Sequence, residues 1–196
     1  MTAEDLSASA VFITGGAAQV RHLVLIGYMG SGKSTAGKRA AELIGLPYVD
    51  TDQLVEERSG RIISEIFETD GEAAFRNWER EIIQSLMQRE PHVISTGGGA
   101  PMIDGMMDLM LSHAGVVYLR AEPRTLARRV SGCRTRPLLG DAPSLKKISD
   151  MLEDRRAVYE KAHCIIDTDH LTVTQTVQAI VAWWREGRNT GHLWHG

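Results

Sequence analysis

Eight residues near the start of the chain carry its clearest chemistry. Gly27-Tyr28-Met29-Gly30-Ser31-Gly32-Lys33-Ser34 matches G-x-x-x-x-G-K-[ST] at each defined position. Glycines at this spacing let successive backbone N–H groups turn inward around phosphate oxygens, and a helix starting there adds the positive end of its dipole. Lys33 supplies a mobile point charge for β and γ phosphates, and the Ser34 hydroxyl is placed to ligate Mg²⁺. Gly30, Ser31, Gly32, Lys33 and Ser34 are thus the expected phosphate site. The competing reading is a glycine-rich turn with an exposed lysine. The flanks argue against it: His22-Leu23-Val24-Leu25-Ile26 is an apolar run of strand type, and residues 34–44 have the alanine, lysine and arginine content of a helix.

Further along, Pro47-Tyr48-Val49 leads into Asp50-Thr51-Asp52, which sets two carboxylates at a strand's end. In a parallel α/β sheet those ends face the crevice that holds the phosphate loop, so Asp50 and Asp52 are expected to point toward bound phosphates. The alternative for Asp52 is a simple cap on a helix over residues 53–58. Arg76 lies near the start of a helix read from Asp70 to about Arg89, where the dipole disfavours a cation unless an anion answers it. Glu79 is one answer, and a solvated Arg76–Glu79 pair is the plain alternative. Gly97-Gly98-Gly99, directly after the apolar run 92–96, implies close backbone approach and N–H groups for a small polar ligand, with a flexible turn as the alternative. Between 131 and 143, Gly132, Arg134, Arg136, Pro137, Gly140 and Pro143 break regular structure and add positive charge. That segment reads as a lid whose arginines would neutralise a migrating phosphoryl group, against the alternative of solvated loop arginines.

These residues need a scaffold, and the periodicity supplies one. Phe75, Trp78, Ile82 and Leu86 form an inward stripe, and Met106, Met107 and Met110 read as core filler in a helix over 104–112. A strand follows at 115–119, a helix begins near Pro123, and Ser144 caps a helix to about Ala162 that carries Arg155 and Arg156. Cys164-Ile165-Ile166 makes a fifth strand, and 172–185 closes the fold with Val173, Val177, Ile180, Val181 and Trp184 inward. Strands alternating with helices, without internal repeats, predict an α/β fold: a three-layer α/β/α sandwich with a five-stranded parallel sheet. One domain is expected over 21–186, with tails at 1–20 and 187–196. The 22 basic residues against 25 acids, a net charge of −3, give no global attraction to nucleic acid or anionic membrane. No apolar run approaches the roughly 20 residues of a membrane span. Cys133 and Cys164 are too few for a zinc or disulfide framework. Residues 1–20 hold Glu4 and Asp5 but no Lys or Arg, which argues against a targeting peptide, so a cytoplasmic enzyme, monomeric, is expected.

Taken in order, Gly30-Ser31-Gly32-Lys33-Ser34-Thr35, Asp50-Thr51-Asp52, Asp70-Gly71-Glu72 with Phe75-Arg76, Gly97-Gly98-Gly99, Arg136-Pro137-Leu138-Leu139, and Arg155 four residues before Tyr159 resemble the motif series of shikimate kinases. The resemblance spans Leu23 to about Trp184. It implies a P-loop kinase fold with a mobile lid, and transfer of the ATP γ-phosphoryl group to the 3-hydroxyl of shikimate. It implies ATP at Gly30 to Thr35 with Arg129 and Arg136, shikimate at Asp52, Arg76, Gly97, Gly98, Gly99 and Arg155, and Mg²⁺ at Ser34 and Asp50. By the same resemblance Asp52, Lys33 and Arg136 would be catalytic, and Arg129 would stack on adenine. The residue types suit this: arginines match a carboxylate, and an aspartate accepts from hydroxyls. Ala157-Val158 replaces a Pro-Leu pair common in the family, leaving Arg155 on an uninterrupted helix. A GTPase would need an Asn-Lys-x-Asp motif, which is absent. A gluconate or nucleoside monophosphate kinase shares the loop without needing Asp52, Arg76 and Arg155 together, and a non-catalytic nucleotide-binding module would not need Lys33, Ser34 and Asp52.

Overall fold

The computed structural model describes residues 10–12, 22–131 and 144–190. In chain order the elements are β1 (Ala10–Phe12), β2 (His22–Ile26), α1 (Lys33–Ile44), β3 (Tyr48–Asp50), α2 (Thr51–Ser59), α3 (Ile63–Thr69), α4 (Gly71–Met87) and β4 (Val93–Ser95). A 3₁₀ turn (Ala100–Met102), α5 (Met106–His113), β5 (Ala114–Arg120), α6 (Pro123–Ser131), α7 (Leu145–Tyr159), β6 (Cys164–Asp167) and α8 (Val173–Thr190) follow. Among the described residues the strands form one sheet in the order β1-β6-β5-β2-β4-β3. The five strands from β2 to β6 pair in parallel, and β1 adds to β6 antiparallel with Val11 opposite Ile165.

The central strands β2 and β5 are buried on both faces, which explains their largely apolar runs. Along β2 the side chains alternate: Val24 and Ile26 join one cluster with Ile82, Leu86 and Met110, while Leu23 and Leu25 join another with Ala36, Ala40, Ile180 and Trp184. Each fully buried aliphatic side chain contributes about 1.5–3 kcal/mol. Because β2, β3 and β4 run the same way, their carboxyl ends deliver the phosphate loop, Asp50 and the glycine triplet to one edge.

Several boundaries differ from the sequence reading. Ala10–Phe12, inside the segment read as a tail, pairs as an edge strand, and α8 continues to Thr190, past the expected boundary at 186. Helix α2 begins at Thr51, and its cap is Asp50, whose carboxylate accepts the Asp52 N–H at 3.1 Å. Helix α3, short and followed at once by Asp70, was not anticipated. Cys164 is buried, and burial pushes its thiol up to about 12. Of the lid read at 131–143, residues 132–143, with Cys133 and Arg136, lie outside the described residues.

One histidine belongs to the fold itself. His163 Nδ1 accepts the Val116 N–H at 3.1 Å, continuing the β5–β6 ladder with a ring nitrogen, and burial lowers its pKa. The unfolded chain therefore takes up the proton first, below about pH 6.5, so this contribution is present above that value and is lost as pH falls through the folded pKa. The melting temperature should drop between pH 7 and pH 5 more steeply in the natural protein than in His163→Asn. Equal slopes would contradict this role.

Candidate active site

The phosphate loop connects β2 to α1 through Gly32, a left-handed N-cap with φ 96° and no side-chain cap. The first N–H groups of α1 are thereby left for an anion. Lys33 is 8% exposed, and its Nζ donates to the carbonyls of Gly27 at 2.7 Å and Tyr28 at 3.0 Å. Its charge is oriented by neutral dipoles. Ser34 Oγ donates to Asp50 Oδ2 at 2.8 Å, and the Tyr48 hydroxyl donates to the same oxygen at 3.2 Å. Two hard oxygen donors thus meet beside the phosphate site, the kind of set that Mg²⁺ takes together with phosphate oxygens. Arg129 ties the far side of the loop, donating to the Thr168 hydroxyl at 3.1 Å and the Thr168 carbonyl at 2.7 Å.

The glycine triplet forms the opposite wall, where lack of a side chain is required. A Cβ on Gly97 would collide with Glu79 Oε1 and stand 2.7 Å from Asp52 Oδ1, and a Cβ on Gly99 would overlap the Arg76 guanidinium. Thr51 Oγ1 fixes the turn by accepting the Gly97 N–H at 3.0 Å. Arg76 is held by Glu72, whose Oε1 accepts from Nε at 3.1 Å and Nη2 at 2.8 Å, and by Glu79, whose Oε2 accepts from Nη1. Arg155 reaches from α7 to donate to the Gly98 carbonyl at 3.0 Å, which the Tyr159 hydroxyl also donates to. Arg76, Glu79, Arg155 and the glycine triplet line an open cleft of about 1560 Å³, together with Asp50, Asp52, Ile63, Phe67 and Phe75.

Glu79 departs from the plain reading of a solvated pair. It is 0% exposed, and among the described residues its Oε1 has no hydrogen-bond partner. Burial pushes its carboxyl up to about 7 against the pull of Arg76, with the Asp52 charge adding to the rise. A glutamate at the fourth position after an inward Phe75 was the available signal, because it falls on the buried stripe. The sequence reading names Tyr28, Thr51 and Tyr159 within its motifs without giving them a role and leaves out Thr168; these residues hold the loop, the triplet and Arg129 in place.

A parallel sheet with strand order β6-β5-β2-β4-β3, a phosphate loop on its central strand and a second polar wall across the cleft defines a P-loop phosphotransferase. A family model of shikimate kinase matches residues 29–185. A shikimate kinase of Sulfurihydrogenibium sp. is 39% identical over 83% of this chain and 96% of its own length, and one of Caulobacter vibrioides is 40% identical over 83% and 82%. The solved shikimate kinase of Acinetobacter baumannii, in complex with shikimate, superposes with a TM-score of 0.81 at 31% identity, covering 87% of this chain and 96% of that one. A gluconokinase of Sinorhizobium meliloti, at 21% identity and a TM-score of 0.57, shares the fold. The chain belongs to the shikimate kinase family, a family of ATP-dependent small-molecule kinases. Among the described residues no helix is long and apolar enough to cross a membrane.

Proposed function

We propose that this chain transfers the ATP γ-phosphoryl group to the 3-hydroxyl of shikimate, giving shikimate 3-phosphate and ADP, with its cleft residues in the following roles. The observation that carries this reading is the meeting of Arg76, Arg155, Asp52 and the glycine triplet at the mouth of the phosphate loop. No nucleotide needs that set, whereas an acid with several hydroxyls matches it: guanidinium groups for the carboxylate, an aspartate and backbone N–H groups for the hydroxyls.

In this reading the loop backbone from Gly30 to Thr35 and Lys33 hold the phosphates, and Arg129 borders the nucleotide base. Asp52 accepts the proton of the 3-hydroxyl as that oxygen attacks the γ phosphorus, and the bond to the β–γ bridging oxygen breaks. Ser34 and Asp50 would hold Mg²⁺, which when bound neutralises charge on the β and γ oxygens. Arg136, outside the described residues, is proposed from the sequence as the lid cation. A single kinase domain, acting as a monomer in the cytoplasm, accords with this role.

The experiment is a pair of calorimetric titrations. Arg76→Ala and Arg155→Ala should each weaken shikimate binding by about 2 kcal/mol or more, since each leaves part of a carboxylate unpaired, while ATP binding barely changes. An equal loss of ATP affinity would make these arginines structural and the acceptor assignment wrong.

A further inference from the structure

The second residue of the phosphate loop faces two ways. Through its backbone Tyr28 serves the nucleotide side, since its carbonyl accepts Lys33 Nζ and the Ser31 N–H at 3.1 Å. Its side chain is 2% exposed and turns the other way, packing with Ala121, Leu126 and Ile148, and its hydroxyl donates to Met151 Sδ on α7 at 3.5 Å. The ring ends beneath Arg155, one turn further along that helix, with the guanidinium carbon 5.6 Å from the ring centroid. That is within the range of cation–π attraction. Gly98 closes the arrangement: a Cβ there would stand 3.3 Å from the Gly27 carbonyl and 3.4 Å from Arg155 Nη1, so loop, triplet and arginine are in contact around Tyr28.

Arg76 and Arg155, the arginines on the triplet side of the cleft, are held differently. Arg76 is paired with two glutamates, which fix it through charge. Arg155 instead donates to neutral oxygens of Gly98 and Tyr159 and rests on an aromatic face. Such a setting orients a guanidinium without cancelling its charge, which suits an arginine that must answer an anionic ligand. We propose that Tyr28 is a positioning residue for the acceptor: its ring is the shelf that holds Arg155 above Gly98, so a phosphate-loop side chain sets the affinity for the acceptor carboxylate. This rests on the assignment of Arg155 to the acceptor made above.

The test separates ring electronics from packing. Tyr28→Phe keeps the aromatic face and loses only the contact to Met151 Sδ, so shikimate affinity should stay within about twofold of the natural protein. Pentafluorophenylalanine at Tyr28 keeps the ring's outline but reverses its quadrupole, and should weaken shikimate binding roughly tenfold, with the ATP KM and the melting temperature close to those of Tyr28→Phe. In an Arg155→Ala background the two rings should bind shikimate equally. Equal shikimate affinities for the two rings with Arg155 present, or a parallel loss of ATP affinity, would overturn the proposal. Unchanged shikimate binding in Arg155→Ala alone would remove the acceptor assignment itself, a failure visible without any change at Tyr28.

Discussion

Lys33→Ala lowers the rate of phosphoryl transfer by about 10²-fold or more, the scale of losing one preorganised charge donor. Lys33 is nearly buried and its Nζ is held by the carbonyls of Gly27 and Tyr28, so the ammonium is aimed before any ligand arrives. The carbonyls of Gly27 and Tyr28 aim it at the phosphate site, where the β–γ bridging oxygen gains negative charge as the γ-phosphoryl group departs. Alanine removes the charge without disturbing α1, whose first turn is set by Gly32 and the Ala36 N–H bond to the Gly32 carbonyl at 2.8 Å. Turnover in a coupled ADP-release assay measures the effect, and a rate near that of the natural protein would contradict the phosphate-loop assignment.

Asp52→Asn should lower kcat by about 10²–10⁴-fold with little change in the KM for ATP. Asparagine keeps the size of the side chain and one acceptor oxygen, so hydroxyl recognition survives while proton acceptance does not. The fold should tolerate the change, because the capping of α2 belongs to Asp50 and the Asp52 side chain is only partly buried. A kcat within a few-fold of the natural value would show that the side chain merely orients the hydroxyl.

What the sequence displayed of this molecule depended on how far apart the interacting residues lie. The phosphate loop, the β3–Asp50 junction and the Ser144 cap are built from neighbours in the chain, and the Ser144 hydroxyl does accept the Lys147 N–H at 3.2 Å. The apolar stripe of α4 was legible by its period, with Phe75, Ile82 and Leu86 buried. By contrast, the contact of Tyr159 with Gly98 spans 61 residues and that of Arg129 with Thr168 spans 39, so nothing in either local segment announces them. The sequence offered Asp52 as the alternative cap, and the extended backbone of Asp50, with φ −108° and ψ 121°, gives that place to Asp50 instead. Helix α3 escaped notice because its seven residues, bounded by Gly60 and Asp70, are too few to show a period. The burial of Glu79 depended on the glycine triplet arriving from β4, a tertiary event that a pairwise reading with Arg76 could not contain.

The choice of acceptor is read most directly from turnover on competing substrates. Purified protein supplied with ATP and Mg²⁺ is offered shikimate, gluconate and nucleoside monophosphates in parallel, with ADP release followed and the phosphorylated product identified by ³¹P and ¹H NMR. Shikimate should give turnover far above the rest, with the new phosphate ester on its 3-oxygen. Turnover with gluconate or a nucleoside monophosphate and none with shikimate would contradict it, because Arg76, Arg155 and Asp52 would then serve a different ligand.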